Sequence, residues 1–219
     1  MKISRSLLIA LAIIASSSCL AQEGGAAGKI GLLAREIEQG WAHAKQHSAY
    51  DPVVSPDSRW IAFVLAGKVR EEEGHFNPSS LWIFDRHSQK RRRLVLSRRT
   101  DDNTTNLRSL NHPVFAPDGR TLYFLSAAWV TSDALFKVDT VSGVHRYIAA
   151  ANSAIVVRNG AYRGCIIISE HSYNNGPEGG SYERLVLIRP NGKRVMVLPE
   201  PNDGADATPW LKSHGWTAD

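Results

Sequence analysis

Two short acidic clusters are the residues of this chain best suited to chemistry. Glu71, Glu72 and Glu73 are consecutive, and Asp101 and Asp102 form a second cluster further along the chain. Two carboxyl groups roughly 5 to 10 Å apart can act as acid, base or nucleophile in glycoside cleavage, and one of them then has a raised pKa. A hydrolase or lyase acting on glycan or peptide is therefore one function open to this chain.

Other catalytic and metal-binding patterns do not occur in the sequence. It contains no Gly-x-Ser-x-Gly nucleophile motif, which argues against a self-contained serine peptidase. His43 and His47 have the spacing of metal ligands on a helix, but no third ligand stands at a diagnostic distance. Asp101 and Asp102 do not belong to an EF-hand calcium loop. We predict no catalytic residue, metal site or cofactor, and a binding protein rather than an enzyme.

Charged and aromatic residues are distributed over four segments: 66–79, 98–109, 127–133 and 170–181. Such mixtures are typical of surfaces that recognise proteins. The residues that we assign to a protein-binding surface are Glu71, Glu72, Glu73, His75, Phe76, Arg98, Arg99, Asp101, Asp102, Trp129, His171 and Tyr173.

The N-terminal residues have the pattern of a secretory signal peptide, 1–21. Lys2 and Arg5 precede an apolar run, and small residues follow it. Two maturation routes stay open: cleavage after Ala21, or acylation at Cys19, where a lipoprotein signal would usually carry Leu in place of Ser16. We expect a periplasmic or secreted protein, or an outer-membrane lipoprotein if Cys19 carries a lipid anchor.

Composition excludes further classes. No later apolar run approaches the roughly 20 residues of a transmembrane helix. Cys165 is the one cysteine of the folded body, so we expect no intramolecular disulfide and a buried, inert thiol. The formal charge of +5 falls to +3 without Lys2 and Arg5, a surplus too scattered to predict a nucleic-acid partner.

The chain contains a repeat. The segment Asp51-Pro-Val-Val-Ser-Pro-Asp-Ser-Arg-Trp-Ile-Ala-Phe-Val64 aligns without gaps with His112-Pro-Val-Phe-Ala-Pro-Asp-Gly-Arg-Thr-Leu-Tyr-Phe-Leu125. Pro-Asp-Gly between two apolar runs predicts a hairpin, because Pro presets φ, Asp accepts a backbone N–H and Gly tolerates positive φ. Ser58 replaces that Gly in the first copy.

Each hairpin is followed by a second pair of short β-rich runs, and a weaker third copy begins near residue 151. Turns at even spacing between such runs are typical of an antiparallel meander. We therefore predict an all-β fold with three four-stranded units, about 48–97, 107–150 and 151–199.

The motifs Ser55-Pro-Asp-Ser-Arg-Trp-Ile-Ala-Phe63 and Ala116-Pro-Asp-Gly-Arg-Thr-Leu-Tyr-Phe124 resemble the TolB-type, or WD-like, β-propeller repeat. The resemblance implies propeller blades, which occur in periplasmic binding proteins and as regulatory domains of serine peptidases. Three blades are fewer than the four to eight of a closed propeller. Either the flanking segments complete a fourth unit, or the array is open and exposes an apolar blade face.

The flanks differ from the blades. Residues 29–47 place Ile30, Leu33, Ile37 and Trp41 at helical spacing, which predicts an amphipathic helix that caps a blade edge or binds a partner. Residues 200–219 have no clear period and are predicted to form a C-terminal arm.

In an antiparallel meander, successive connections lie alternately at the two ends of the sheet, because successive strands run in opposite directions. The first-to-second and third-to-fourth connections are tight turns at one end, and the four segments rich in aromatic and charged residues meet at the other end, where we expect binding. The basic run Lys90–Arg93 lies at a tight turn. It is interpreted as protection of an edge strand, with contact to anionic lipid or an acidic protein as the alternative.

Three functions stay open. The first is binding of another protein, as an envelope scaffold or as an immunity-type inhibitor of a secreted toxin. The second is the hydrolase or lyase. The third is self-association through open blade edges.

Overall fold

The computed structural model describes residues 49–67, 78–199 and 206–218. Within these ranges the chain forms twelve strands and one short helix. The predicted signal peptide (1–21) and amphipathic helix (29–47) lie outside the described residues. The elements are β1 (Ala49–Val54), β2 (Trp60–Ala66), β3 (Ser79–Asp85), β4 (Arg91–Leu96), β5 (Arg108–Phe115), β6 (Thr121–Ala127), β7 (Asp133–Asp139), β8 (His145–Ala150), β9 (Ser153–Val156), β10 (Ile166–Tyr173), β11 (Ser181–Ile188), β12 (Arg194–Val197) and α1 (Thr208–Ser213).

Consecutive strands pair with each other throughout. The strands form three four-stranded sheets in the orders β1-β2-β3-β4, β5-β6-β7-β8 and β12-β11-β10-β9, and all pairs are antiparallel. The predicted all-β class, with antiparallel four-stranded blades, is confirmed. No described helix is long and apolar enough to cross a membrane.

The repeated Pro-Asp turns have the conformation that the sequence predicts. Gly119 has a φ of 67° in the second copy, and Ser58 adopts a φ of 59° at the same place in the first. The Asp57 carboxylate accepts a hydrogen bond from the Arg59 backbone N–H at 3.1 Å, and Asp118 accepts one from the Arg120 N–H at 2.9 Å. These side-chain acceptors compensate for the less favourable φ of Ser58.

The same arginines connect the first hairpin of a blade to the end of its third strand. Arg59 Nη2 lies 3.0 Å from Asp85 Oδ2, and Arg120 Nε lies 2.7 Å from Asp139 Oδ2. In the third sheet the corresponding strand, β11, ends at Ile188. An apolar residue there cannot form the ion pair, which accounts for the weaker third copy of the motif.

Two apolar cores lie between successive sheets. Leu122 and Phe124 of β6 belong to the core shared with the first sheet, and their neighbours Tyr123 and Leu125 belong to the core shared with the third. Because alternate residues of a strand point to opposite faces, β6 is buried on both faces. This explains its nearly continuous apolar sequence.

The C-terminal arm completes a third core. Leu211 of α1 and the half-buried Trp216 pack with Ile167 and Leu187 on the face of the third sheet that points away from the second. Ala218 forms an isolated antiparallel bridge with Val157. The described part of the arm therefore covers the third sheet with one helix and one bridge instead of a fourth four-stranded unit.

The outer face of the third sheet is covered. Ile167 and Leu187 on this face are 0% exposed because the arm packs on them. Ile61 and Phe63 of the first sheet are also fully buried. Cys165 lies in the same apolar environment as Ile167, and burial raises the pKa of its thiol.

Candidate binding face at the long-loop end

One end of the stack collects the connections 97–107, 128–132 and 174–180, together with the adjoining ends of β10 and β11. We call this end the long-loop face. It follows from the meander, because the second-to-third connections and those between sheets emerge on the same side.

Segment 97–107 is held rigidly by its own hydrogen bonds. Arg98 and Leu107 exchange backbone bonds of 2.7 and 2.9 Å. The Asn106 side chain is buried and accepts from the Thr100 N–H at 3.0 Å. The Asp102 carboxylate accepts from the N–H and hydroxyl of Thr104, each at 2.8 Å, and these bonds lower the pKa of Asp102. Arg98 and Asp102 are thus exposed on a preformed loop.

Trp129 joins two of the connections. Its backbone N–H donates to the Ser132 carbonyl at 2.8 Å, closing a tight turn. With the Asn103 amide oriented to satisfy both of its neighbours, Asn103 accepts from Trp129 Nε1 at 2.9 Å and donates to the Ala128 carbonyl at 3.2 Å. The indole is 39% exposed, and the next residue, Val130, projects fully into solvent. An aromatic ring anchored in this way presents a rigid apolar contact.

The third part of the face is the end of the β10–β11 hairpin. Ser169 donates its hydroxyl to Glu183, Asn152 donates to Glu183 Oε1 at 2.8 Å, and His171 Nδ1 lies 3.2 Å from the same oxygen. Burial acts to raise the pKa of Glu183, but these hydrogen bonds outweigh it and lower the pKa. Since Asn152 also donates to the Thr131 carbonyl, this network connects the second and third sheets.

The structure separates the residues that the sequence assigned to binding. Arg98, Arg99, Asp101, Asp102, Trp129 and Tyr173 are exposed at the long-loop face. His171 is instead mostly buried, with a side chain 15% exposed between Glu183 and the edge of Tyr173. His171 therefore contributes to the long-loop face by holding Tyr173 in place rather than by direct exposure. Glu71, Glu72, Glu73, His75 and Phe76 lie outside the described residues.

Two exposed residues of the long-loop face were not predicted from the sequence. Val130 and Tyr182 are 103% and 38% exposed. Tyr182 lies in an apolar-rich strand, where an aromatic residue is ordinarily read as core. The pairing of the two strands could have identified it. Tyr182 lies opposite Ser172 and next to Tyr173, at the end of the β10–β11 hairpin where Tyr173 was already predicted to be exposed.

A cleft of about 340 Å³ lies between the second and third sheets. Among its lining residues, Glu170 is bound by Arg184 at 3.0 Å and by Arg194 at 2.8 Å. Elsewhere, burial raises the pKa of the Asp133 carboxyl above its ordinary value. Within the described ranges no three His, Cys, Asp or Glu side chains are grouped so that they could hold a metal ion.

Comparisons with solved structures show similarity of fold. Acylaminoacyl peptidase of Pyrococcus horikoshii matches over 74% of this chain and 26% of its own length, with 12% identity and a TM-score of 0.51. The β-propeller domain of the Trilobed protease from Pyrococcus furiosus matches 69% of this chain and 43% of its own, with 16% identity and a TM-score of 0.46. TolB from Acinetobacter baumannii matches 68% of this chain and 31% of its own length, with 12% identity and a TM-score of 0.42.

The chain has a β-propeller fold. Its three stacked meanders and the similarity to the peptidase structure agree on this point. The chain spans about a quarter of the length of the peptidases it matches. No protein-family model and no curated protein sequence matches it.

Proposed function

We propose that this chain is an exported, TolB-like propeller-repeat protein that binds another protein through its long-loop face. The supporting observation is the concentration of exposed apolar side chains there. Trp129, Val130, Tyr173 and Tyr182 account for half of the eight exposed large hydrophobic residues in the described ranges. Solvent-exposed apolar groups set among charges are typical of interaction sites.

The way in which these side chains are held favours tight binding. Trp129 is fixed by Asn103 and by an edge contact with Tyr147 at 6.4 Å, and Tyr173 is fixed by His171 at 4.8 Å. Side chains that are ordered before binding lose less conformational entropy when the complex forms. The charged residues beside them, such as Arg98 and Asp102, supply a polar rim.

Two biological roles require only this kind of face. One is an envelope scaffold, and the other is an immunity-type inhibitor of a secreted toxin. Export to the periplasm is part of the proposal through the N-terminal signal pattern, and the TolB-like assignment comes from the repeated Ser/Ala-Pro-Asp motif. Self-association through the outer strands is a further form of protein binding.

The hydrolase or lyase has no described observation in its favour. Such chemistry needs a cleft with two carboxyl groups roughly 5 to 10 Å apart. The cleft between the second and third sheets is lined by a single carboxylate, Glu170, which two arginines already bind.

The experiment that tests the proposal is affinity capture from an envelope extract with the full chain, one triple variant and one double variant. Trp129→Ala/Tyr173→Ala/Tyr182→Ala removes the apolar part of the face. Val141→Ala/Val144→Ala removes residues of similar exposure, 68% and 58%, from the β7–β8 turn at the opposite end of the stack. A protein that is retained by the wild type and the control pair but lost by the triple variant supports the proposal. Equal retention by all three proteins contradicts it.

A further inference from the structure

The end of the stack opposite the long-loop face is built from short turns. Five of its six connections have the same length of five residues: 55–59, 86–90, 116–120, 140–144 and 189–193. The sixth, 157–165, is held to the C-terminal arm by the bridge between Val157 and Ala218. Among the described residues, the connections at this end are thus at most nine residues long.

This surface, which we call the basic turn surface, carries a large excess of exposed cations. They belong to the first and third sheets. The cations in connections are Arg86, Lys90, Arg163, Arg189 and Lys193, and those at the start of β4 are Arg91 and Arg93. The carboxylates of the same end all accept hydrogen bonds within their own blades, at Asp57, Asp85, Asp118 and Asp139. Seven exposed cations against four carboxylates leave an excess of three positive charges among these residues.

Two exposed valines stand among these cations. Val141 and Val144, in the β7–β8 turn, are 68% and 58% exposed. The turn is fixed on both sides, because Arg92 donates to the Thr140 carbonyl from the first sheet and Lys137 Nζ donates to the Pro190 carbonyl of the third at 3.0 Å. The valines therefore occupy a fixed position between the basic turns of the neighbouring sheets.

A cleft of about 370 Å³ opens beside the valines. Its lining includes Lys137, Arg146 and the Ser142 hydroxyl, and also the Asp139 carboxylate. Arg120 neutralises Asp139 through the 2.7 Å ion pair. Because the Ser142 hydroxyl already donates to Asp139, the donors that the cleft offers to a phosphate-bearing headgroup are the cations Lys137 and Arg146.

We propose that the basic turn surface binds an anionic phospholipid bilayer. The lysines and arginines contact headgroup phosphates, and Val141 and Val144 enter the interface between headgroups and acyl chains. Cations distributed over the first and third sheets, on either side of the two valines, match a plane of negative charge. The core of a protein–protein interface is depleted of charged residues, whereas charged side chains dominate this surface and only two exposed valines stand among them. This inference concerns the opposite end from the long-loop face and does not depend on it.

Vesicle co-sedimentation tests the proposal with the full chain. Vesicles of phosphatidylglycerol and phosphatidylcholine are compared with vesicles of phosphatidylcholine alone. We expect binding to the anionic vesicles only, and its loss when the salt concentration is raised to about 0.5 M, because salt screens exposed charges.

Three variants with the same change in charge locate the contact. Lys90→Glu and Lys193→Glu lie on the basic turn surface, and Lys212→Glu lies on α1. Each of the first two should weaken binding roughly fivefold or more, while Lys212→Glu should weaken it much less. Val144→Ser should also weaken binding without any change in charge. Circular dichroism melting checks that all four proteins are folded.

The outcomes are distinguishable. Selective loss in Lys90→Glu and Lys193→Glu supports the proposal. Failure of the wild type to bind anionic vesicles, or equal loss in Lys212→Glu, overturns it. Binding to soluble poly-glutamate without binding to vesicles also overturns it and assigns the surface to an acidic polypeptide.

Discussion

The Asp51 carboxylate accepts a hydrogen bond from the backbone N–H of His112 at 2.9 Å, and these two residues occupy the same position in successive copies of the repeat. Both precede a proline, and both have positive φ, 51° and 46°. The pairing of β1 with β2 and of β5 with β6 is irregular at the same place. The first strands of the first two sheets, β1 and β5, thus carry matching bulges. The hydrogen bond between Asp51 and His112 joins them.

Replacement of Asp51 tests this link between sheets. Asp51→Ala removes the acceptor of the His112 N–H, and we expect the free energy of unfolding to fall by about 1 kcal/mol. Asp51→Asn keeps an acceptor oxygen and should lose less than half as much. Urea denaturation monitored by circular dichroism measures both. Equal losses in the two variants would show that the hydrogen bond contributes nothing.

Acid should destabilise the fold through the aspartates that end β3 and β7. Hydrogen bonds from Ser142 and Arg120 lower the pKa of Asp139, and Arg59 lowers that of Asp85 in the same way. A lowered pKa stabilises the folded state fully above the ordinary value of 3.8, and this contribution is lost as the pH falls through the folded pKa.

We therefore expect the wild-type melting temperature to fall as the pH drops below about 5. Asp139→Asn should make that fall shallower, because the residue no longer titrates. Arg120→Gln removes one of the donors but leaves the backbone N–H groups of Val141 and Ser142, so it should have a partial effect. Identical pH profiles for Asp139→Asn and the wild type would contradict the assignment.

The docking of the C-terminal arm depends on Gly160. A Cβ atom there would lie 2.2 Å from Trp216 Nε1, whereas at Gly164 it would meet nothing within 4 Å. Both glycines have positive φ, 73° and 84°. Gly160→Ala and Gly164→Ala thus share the backbone strain and differ in the clash.

We expect Gly160→Ala to destabilise the protein by about 1 to 3 kcal/mol more than Gly164→Ala. Tryptophan fluorescence should shift to longer wavelength in Gly160→Ala as Trp216 becomes solvated. Limited proteolysis should then cut the arm faster than in the control. Matching behaviour of the two variants would mean that Trp216 does not depend on this contact.

Glu183 is expected to order the β10–β11 end of the long-loop face. Glu183→Ala leaves the donors of Ser169, Asn152 and His171 without their shared acceptor, and should cost about 1 to 2 kcal/mol of unfolding free energy. Glu178→Ala, in the exposed connection of the same hairpin, is the control and should cost little. Hydrogen exchange at residues 131 and 152 would report the loosened contact. Protection unchanged in Glu183→Ala would refute it.

The repeat made the sheets predictable, and particular residues explain why. Pro56, Asp57 and Arg59 recur as Pro117, Asp118 and Arg120, and each encodes a local feature of the first hairpin. The periodicity of β-rich runs then located the second hairpin of each blade. These are short-range properties, which sequence patterns represent well.

The site was less predictable because it depends on contacts between distant segments. Tertiary packing decides that His171 lies beneath the face while Tyr173 projects from it. The positive φ of Asp51 and His112 contradicts the usual preference of a residue before proline for extended backbone. The sequence of the arm has no hydrophobic periodicity that would predict its packing. Leu211 and Trp216 each contact the third sheet without forming a regular repeat.

The covering of the third sheet by residues 206–218 imposes an order on vectorial folding. The described residues that form the core between the first two sheets, or pack against it, extend no further than Tyr147, so this core can form before the rest of the chain has been synthesised. The core around Ile167 and Leu187 needs Leu211 and Trp216. Until those residues have been synthesised, the outer face of the third sheet stays exposed to solvent, so its core is the last of the three described cores to close.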